Sequence, residues 1–310
     1  MLLLNSEKTE SSGNLTLSIA WKEIEDGNVI FTPPTSIGGL QWKFQVCYDV
    51  VKKDMKIDLR CVTAEENDCL LYWVQIKKML KYSEVDGMSS TSWCGSYSYN
   101  KWFGFLAVKN ANKAVDENGN INLDITIKIE RMVCFDLSKY NPASADTLLT
   151  LRNSDGDTSI YVSKSALSMQ SDFFNNFFNN QSFIEGRSEA YELKQVDFKA
   201  FCVVLYDVYG LPVDFNKSGM DASVIKEAIN LADRFQLTMT IVRFEKALLA
   251  LDKSTRHDWL EFADKHRMDT FVYEAVSSLS LRDLARLSVG GLRRFSEETA
   301  QMIMKKMEIA

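Results

Sequence analysis

Apolar and polar residues alternate along the segment WKFQVCYDV. Trp42, Phe44, Val46, Tyr48 and Val50 share one face, and Lys43, Gln45 and Asp49 take the other. A period of two marks a half-buried β-strand. NINLDITIKIE repeats the pattern with Ile121, Leu123, Ile125, Ile127 and Ile129, directly after DENGN, whose Asn-Gly suits a tight turn. MKIDLRCV and LLYWVQIKKML read as further strands, with TPPTSIGG and SEVDGMSS as breaks. Strand follows strand from about Leu15 to Val133 with no helical period between them, which predicts an antiparallel β-sandwich.

The period changes after DLSKYNPASA, a small polar stretch with Pro142 that reads as a linker. Two strand-like pieces flank NSDGD. In SKSALSMQSDFFNNFFNN, Phe173, Phe174, Phe177 and Phe178 then fall on one face of a helix. A short strand, AYELKQV, precedes the helix DFKAFCVVLYDVYG, capped by Asp197 and stopped by Gly210 and Pro212. SVIKEAINLADRFQL carries Val224, Ala228, Leu231 and Phe235 at helical spacing. FADKHRM at 262–268 echoes LADRFQL at 231–237 with an offset of 31 residues, and Leu279 echoes Leu248. This reads as a helix pair repeated once. The predicted organisation is a sandwich at 8–134, a linker at 135–145, an α+β domain at 146–251 and a helical extension at 252–310.

Composition narrows the function. The net charge of -6 over 310 residues argues against a nucleic-acid surface. No apolar run approaches the ~18 residues a membrane helix requires, and the opening MLLL is too short for a secretory core. Cys47, Cys61, Cys69, Cys94, Cys134 and Cys202 are scattered singly, which reads as reduced thiols in a cytosolic or nuclear protein. The only two histidines, His257 and His266, lie nine residues apart, unlike the i, i+4 spacing of paired metal ligands; both read as surface residues. The chain contains no G-x-S-x-G, P-loop or G-x-G-x-x-G pattern. The expectation is a protein with no catalytic centre, cofactor or metal site.

Asp146, then IYVSKSALSMQSDFF, VDFKAFCVVLYDVYG and NLADRFQL together resemble a BTB (POZ) domain: an acid before the first strand, V-x-K-x-x-L at the hairpin return, S-x-x-F in the next helix, and Leu-Ala-Asp-x-Phe later. Where many relatives carry His before the lysine, this chain has Ser163. The strand region resembles a MATH (meprin and TRAF homology) domain through Gly38, Gly39 and Trp42, the aromatic NKWFGFLAV and the closing DENGNINLDITIKI. The whole chain thus resembles MATH–BTB proteins, with C-terminal helices in the position of their three-box or BACK-type helices.

That resemblance implies a substrate-receptor role in cullin-3 ubiquitin ligases, the MATH domain holding substrate and the BTB domain the cullin. The rival expectation is a scaffold or transcription-associated protein that self-associates through the BTB domain. For cullin binding the resemblance selects Phe183 and Glu185, which fit the family's apolar-x-Glu pattern. An aromatic anchor of that kind is worth ~2 kcal/mol or more, about thirtyfold in affinity. For extended, often Ser-rich substrate peptides it selects Trp102 and Phe105, then Tyr72 and Trp93. Asp146 and Lys164 match a charged pair near the family's dimer seam and are expected to form a partly buried ion pair. Homodimerisation through the BTB domain is also implied, although CFDLSKYNPASA leaves little room for the helix that precedes the first strand in many relatives.

Overall fold

The computed structural model describes residues 12–63, 67–82, 85–95, 103–108, 111–154, 156–180, 191–213, 215, 220–280, 282–283, 287 and 291–309. For 13–16, 77–82, 85–95, 103–107, 253–254 and 309 the backbone alone is described. The chain divides into two units, Met1–Asp136 and Leu137–Ala310.

The first unit is built from β1 (Ser12–Ala20), a helical turn α1 (Trp21–Ile24), β2 (Val29–Phe31), β3 (Thr35–Ile37), β4 (Leu40–Asp49), β5 (Asp54–Cys61), β6 (Leu70–Tyr82), β7 (Val85–Gly95), β8 (Phe103–Val108) and β9 (Asn120–Asp136). One sheet runs β1-β9-β6-β7; the other runs β2-β4-β5-β8, with β3 also on β4. All pairings in both are antiparallel. Trp42, Phe44 and Val46 of one sheet share a core with Val74, Ile76 and the odd-numbered positions Ile121 to Ile129 of the other, which makes the unit the sandwich expected from the alternation. Val50 departs from that expectation. It lies in the turn after β4, about half exposed, because Asp49 ends the strand by accepting the Lys52 and Lys53 amides.

The Gly-Gly-x-x-Trp segment has a physical account. Gly38 and Gly39 both have positive φ, 63° and 79°, and turn β3 back into β4. A Cβ on Gly38 would lie 2.6 Å from Ile129 Cδ1. The turn brings Trp42 Nε1 within 3.0 Å of the Ile37 carbonyl, to which it donates inside the core.

In the second unit, β10 (Thr147–Asn153) pairs antiparallel with β11 (Gly156–Val162) and parallel with β12 (Tyr191–Lys194). The helices are α2 (Lys164–Gln170), α3 (Asp172–Asn179), α4 (Phe198–Val208), α5 (Ala222–Arg234), α6 (Thr238–Leu249), α7 (Lys253–Arg256), α8 (Leu260–Lys265), α9 (Asp269–Ser278) and α10 (Glu297–Ile309). α4 is buried from Ala200 to Val208 and forms the centre of the domain. Asp197 caps it as expected, accepting from the Ala200 amide at 2.7 Å, and Gly210 (φ 73°) stops it.

The repeat read in the sequence is a structural one. After α5, the Leu237 amide donates to the Ala232 carbonyl (2.8 Å) with Gln236 at φ 55°; after α8, Met268 donates to Ala263 (2.9 Å) with Arg267 at φ 54°. Both are left-handed helix endings of one geometry, 31 residues apart, each followed at once by the next helix. α6 packs against α9, so the two pairs are stacked. No helix among the described residues is long and apolar enough to cross a membrane.

Candidate functional site

Phe183 and Glu185 lie outside the described residues. The ends of their loop do not. α3 delivers the chain to the loop, with Phe174 and Phe178 buried and Phe173 and Phe177 half-buried. Phe178 and Tyr191, on either side of the loop, meet edge-on with ring centroids 4.9 Å apart. Lys164 closes this box: its ammonium lies 5.8 Å from the Phe178 ring centre and 5.5 Å from that of Tyr191, and donates to the Tyr191 hydroxyl at 3.3 Å.

Ser171 fixes the start of α3 twice over. Its hydroxyl accepts from the Phe174 amide (3.0 Å) and donates to the Phe235 carbonyl (2.5 Å), which ties α3 to the end of α5. Beyond β12, Arg234 donates to the carbonyls of Lys194 (2.9 Å) and Gln195 (3.1 Å) and lies over the Phe235 ring. Phe178 and Tyr191, the described residues on either side of Phe183 and Glu185, therefore belong to one aromatic cluster.

Asp146 and Lys164 do meet, but not as the expected ion pair. Asp146 Oδ1 accepts from the backbone amide of Lys164 at 2.9 Å, while the lysine ammonium turns to Tyr191. Lys164 is the first residue of α2, and its amide is one of those a helix leaves without an internal acceptor. Ser163 is the N-cap and accepts from Ala166 at 3.2 Å.

Tyr209 was not singled out in the sequence. Its hydroxyl accepts from the Ser163 amide (2.8 Å) and donates to the Ser144 carbonyl (3.0 Å). Burial raises its pKa well above the ordinary tyrosine value, and Asp146 adds to that; the Ser163 hydrogen bond acts in the opposite sense. Of the linker expected at 135–145, residues 137–145 are thereby held to the domain. Leu137 is fully buried and its carbonyl accepts from the Tyr161 amide.

An open groove of about 1100 Å³ runs between α2, the turn after α4, and α6, with Met169, Leu211 and Met239 among its apolar lining. In its lining Arg243 makes a two-pronged contact with buried Asp207 (2.5 and 2.7 Å) and also donates to Gln170 (2.9 Å). The Asp207 contact raises the arginine's pKa. A lone acid inside the apolar run FCVVLYDVY was the sequence signal for this pair.

On the sandwich, the candidate aromatics separate. Tyr72 is in the core at 3% exposure, edge-on to Trp42, and is withdrawn as a peptide contact. Phe105 is the extra residue of a bulge in β8, opposite the step from Ile57 to Asp58; Trp93 lies on β7 of the other sheet, across from Val74. Both strands are sheet edges among the described residues. Trp102 lies outside the described residues. His266 is also corrected: its side chain is only 7% exposed, while His257 is at the surface.

The comparison with known families agrees with this geometry. Residues 136–251 match the family model of the BTB/POZ domain. The chain therefore carries a BTB/POZ domain behind a β-sandwich and ahead of a C-terminal helical region. The match takes in the packed segment before β10 and ends just after α6. No curated protein matches the chain.

Proposed function

We propose that the protein is a non-catalytic adaptor of a cullin-3 type ubiquitin ligase, with a MATH-like sandwich that holds substrate and a BTB/POZ domain that holds the cullin. The observation that carries this reading is the BTB/POZ domain itself, with the Phe183-x-Glu185 loop between α3 and β12. Two features support it: the loop ends are fixed by the Phe178–Tyr191–Lys164 box, and a sandwich with the Gly-Gly-x-x-Trp turn precedes the domain. In this reading Phe183 is the apolar anchor and Glu185 orients the partner. Trp102 and Phe105 grip an extended peptide, with Trp93 on β7, an edge strand of the other sheet. The ligase chemistry belongs to other subunits, and the working compartment is the cytosol or nucleus.

The test is calorimetric titration of the full chain with a cullin-3 N-terminal domain, beside a Phe183→Ala, Glu185→Ala variant shown to be folded by circular dichroism. The unmodified chain is expected to bind and the variant to lose about thirtyfold or more in affinity. Absence of binding by the unmodified chain overturns the adaptor assignment and leaves a self-association module.

A further inference from the structure

Within the stacked helix pairs, His266 sets a polar side chain where the first pair has an apolar one. His266 stands 31 residues after Phe235, at the same step of the same helix ending. Phe235 is fully buried among Phe173, Phe174 and Phe201. The His266 side chain is 7% exposed, its ring 4.5 Å from that of Phe262, and neither ring nitrogen has a hydrogen-bond partner among the described residues. Nδ1 lies 3.5 Å from Asp233 Oδ2, a long contact to an exposed carboxylate that favours the imidazolium but is weaker than a hydrogen bond of usual length. An imidazole in such a place is tolerated when neutral and costly when charged.

We infer that His266 makes the seam between the two helix pairs acid-sensitive, so that protonation loosens the C-terminal helices from the BTB/POZ domain. The charged groups that act on the ring are Asp233 of α5, which favours the imidazolium, and Lys265 of its own helix, which opposes it. Lys226 of α5 lies over the neighbouring rings of Trp259 and Phe262, and α9, packed on α8, adds no charge that bears on it. Burial outweighs the single carboxylate and lowers the folded-state pKa. The sign follows: the opened form takes up the proton first. The seam keeps its full stability above the ordinary histidine pKa of about 6.5 and loses it as pH falls toward the lower folded-state value.

The experiment is amide hydrogen exchange on the full chain at about pH 7.5 and pH 5.5, corrected for intrinsic rates, comparing residues 260–278 with strands 147–162. Protection at 260–278 is expected to drop at least about twofold more than in the strands. His266→Phe, which copies the first pair, is expected to abolish the difference, and Asp233→Asn to enlarge it. Equal acid loss in the unmodified chain and His266→Phe overturns the inference. Should His266→Phe fail to fold, Asp233→Asn decides: an enlarged loss sustains the inference, and an unchanged or smaller one overturns it.

Discussion

The pairs α5–α6 and α8–α9 share a backbone but not a set of anchors. Four amide–carbonyl bonds recur at equivalent positions: Phe235, Gln236, Leu237 and Ile241 in the first, His266, Arg267, Met268 and Val272 in the second. The side chains diverge. Phe235 becomes His266, Arg243 becomes Glu274 and buried Glu245 becomes Val276. The first pair is held into the BTB/POZ domain by an aromatic hub and a charged contact; the second is held to the first by apolar packing and a few polar links. A repeated turn fixes shape, and the residues around it decide what the shape is attached to.

Five substitutions test this contrast. Phe235→Ala removes the hub shared by α3, α4 and α5 and is expected to cost about 3–5 kcal/mol in urea unfolding. His266→Ala at the equivalent position is expected to cost clearly less, and equal losses would erase the distinction. Arg243→Ala strands the Asp207 carboxylate, which is only 3% exposed. Because Arg243 itself is two-fifths exposed, the expected loss is about 2–3 kcal/mol, below the range for a fully enclosed pair. Glu274→Ala, its counterpart, is expected to stay within about 0.5 kcal/mol. Glu245→Ala frees the Phe271 amide, which donates to that carboxylate at 2.8 Å at the start of α9. A loss of about 1–2 kcal/mol is expected, confined to hydrogen-exchange protection of 260–278 if Glu245 serves the seam alone.

Much of this was legible in the sequence because two periods carry it. Alternation found the sandwich strands, and the 31-residue echo found the second helix pair. The misreadings share a cause: a residue was judged by type and not by its position in the pattern. Tyr72 stands in register with Leu70, Val74 and Ile76, all buried, but its polar tip and the equally buried Leu71 obscured that alternation. His266 was read as a surface residue although the echo aligns it with Phe235. For Asp146 and Lys164, opposite charge suggested an ion pair, whereas the aspartate accepts from the helix amide instead. Tyr209 left no periodic trace at all, because its role depends on Ser144 and Ser163, 65 and 46 residues away.

The pairing of β1 with β9 bears on synthesis at the ribosome. The first strand of the sandwich is hydrogen-bonded to the last, Ser12 opposite Lys128 and Ala20 opposite Asn120. An emerging chain cannot close the sandwich until β9 has left the exit tunnel, so β1 waits as an unpaired edge while more than a hundred residues are made. Asp136 ends the first unit, and every strand of its two sheets ends at or before that residue. The sandwich can then finish folding while the BTB/POZ domain is still being translated, which keeps the two strand-rich segments from mispairing.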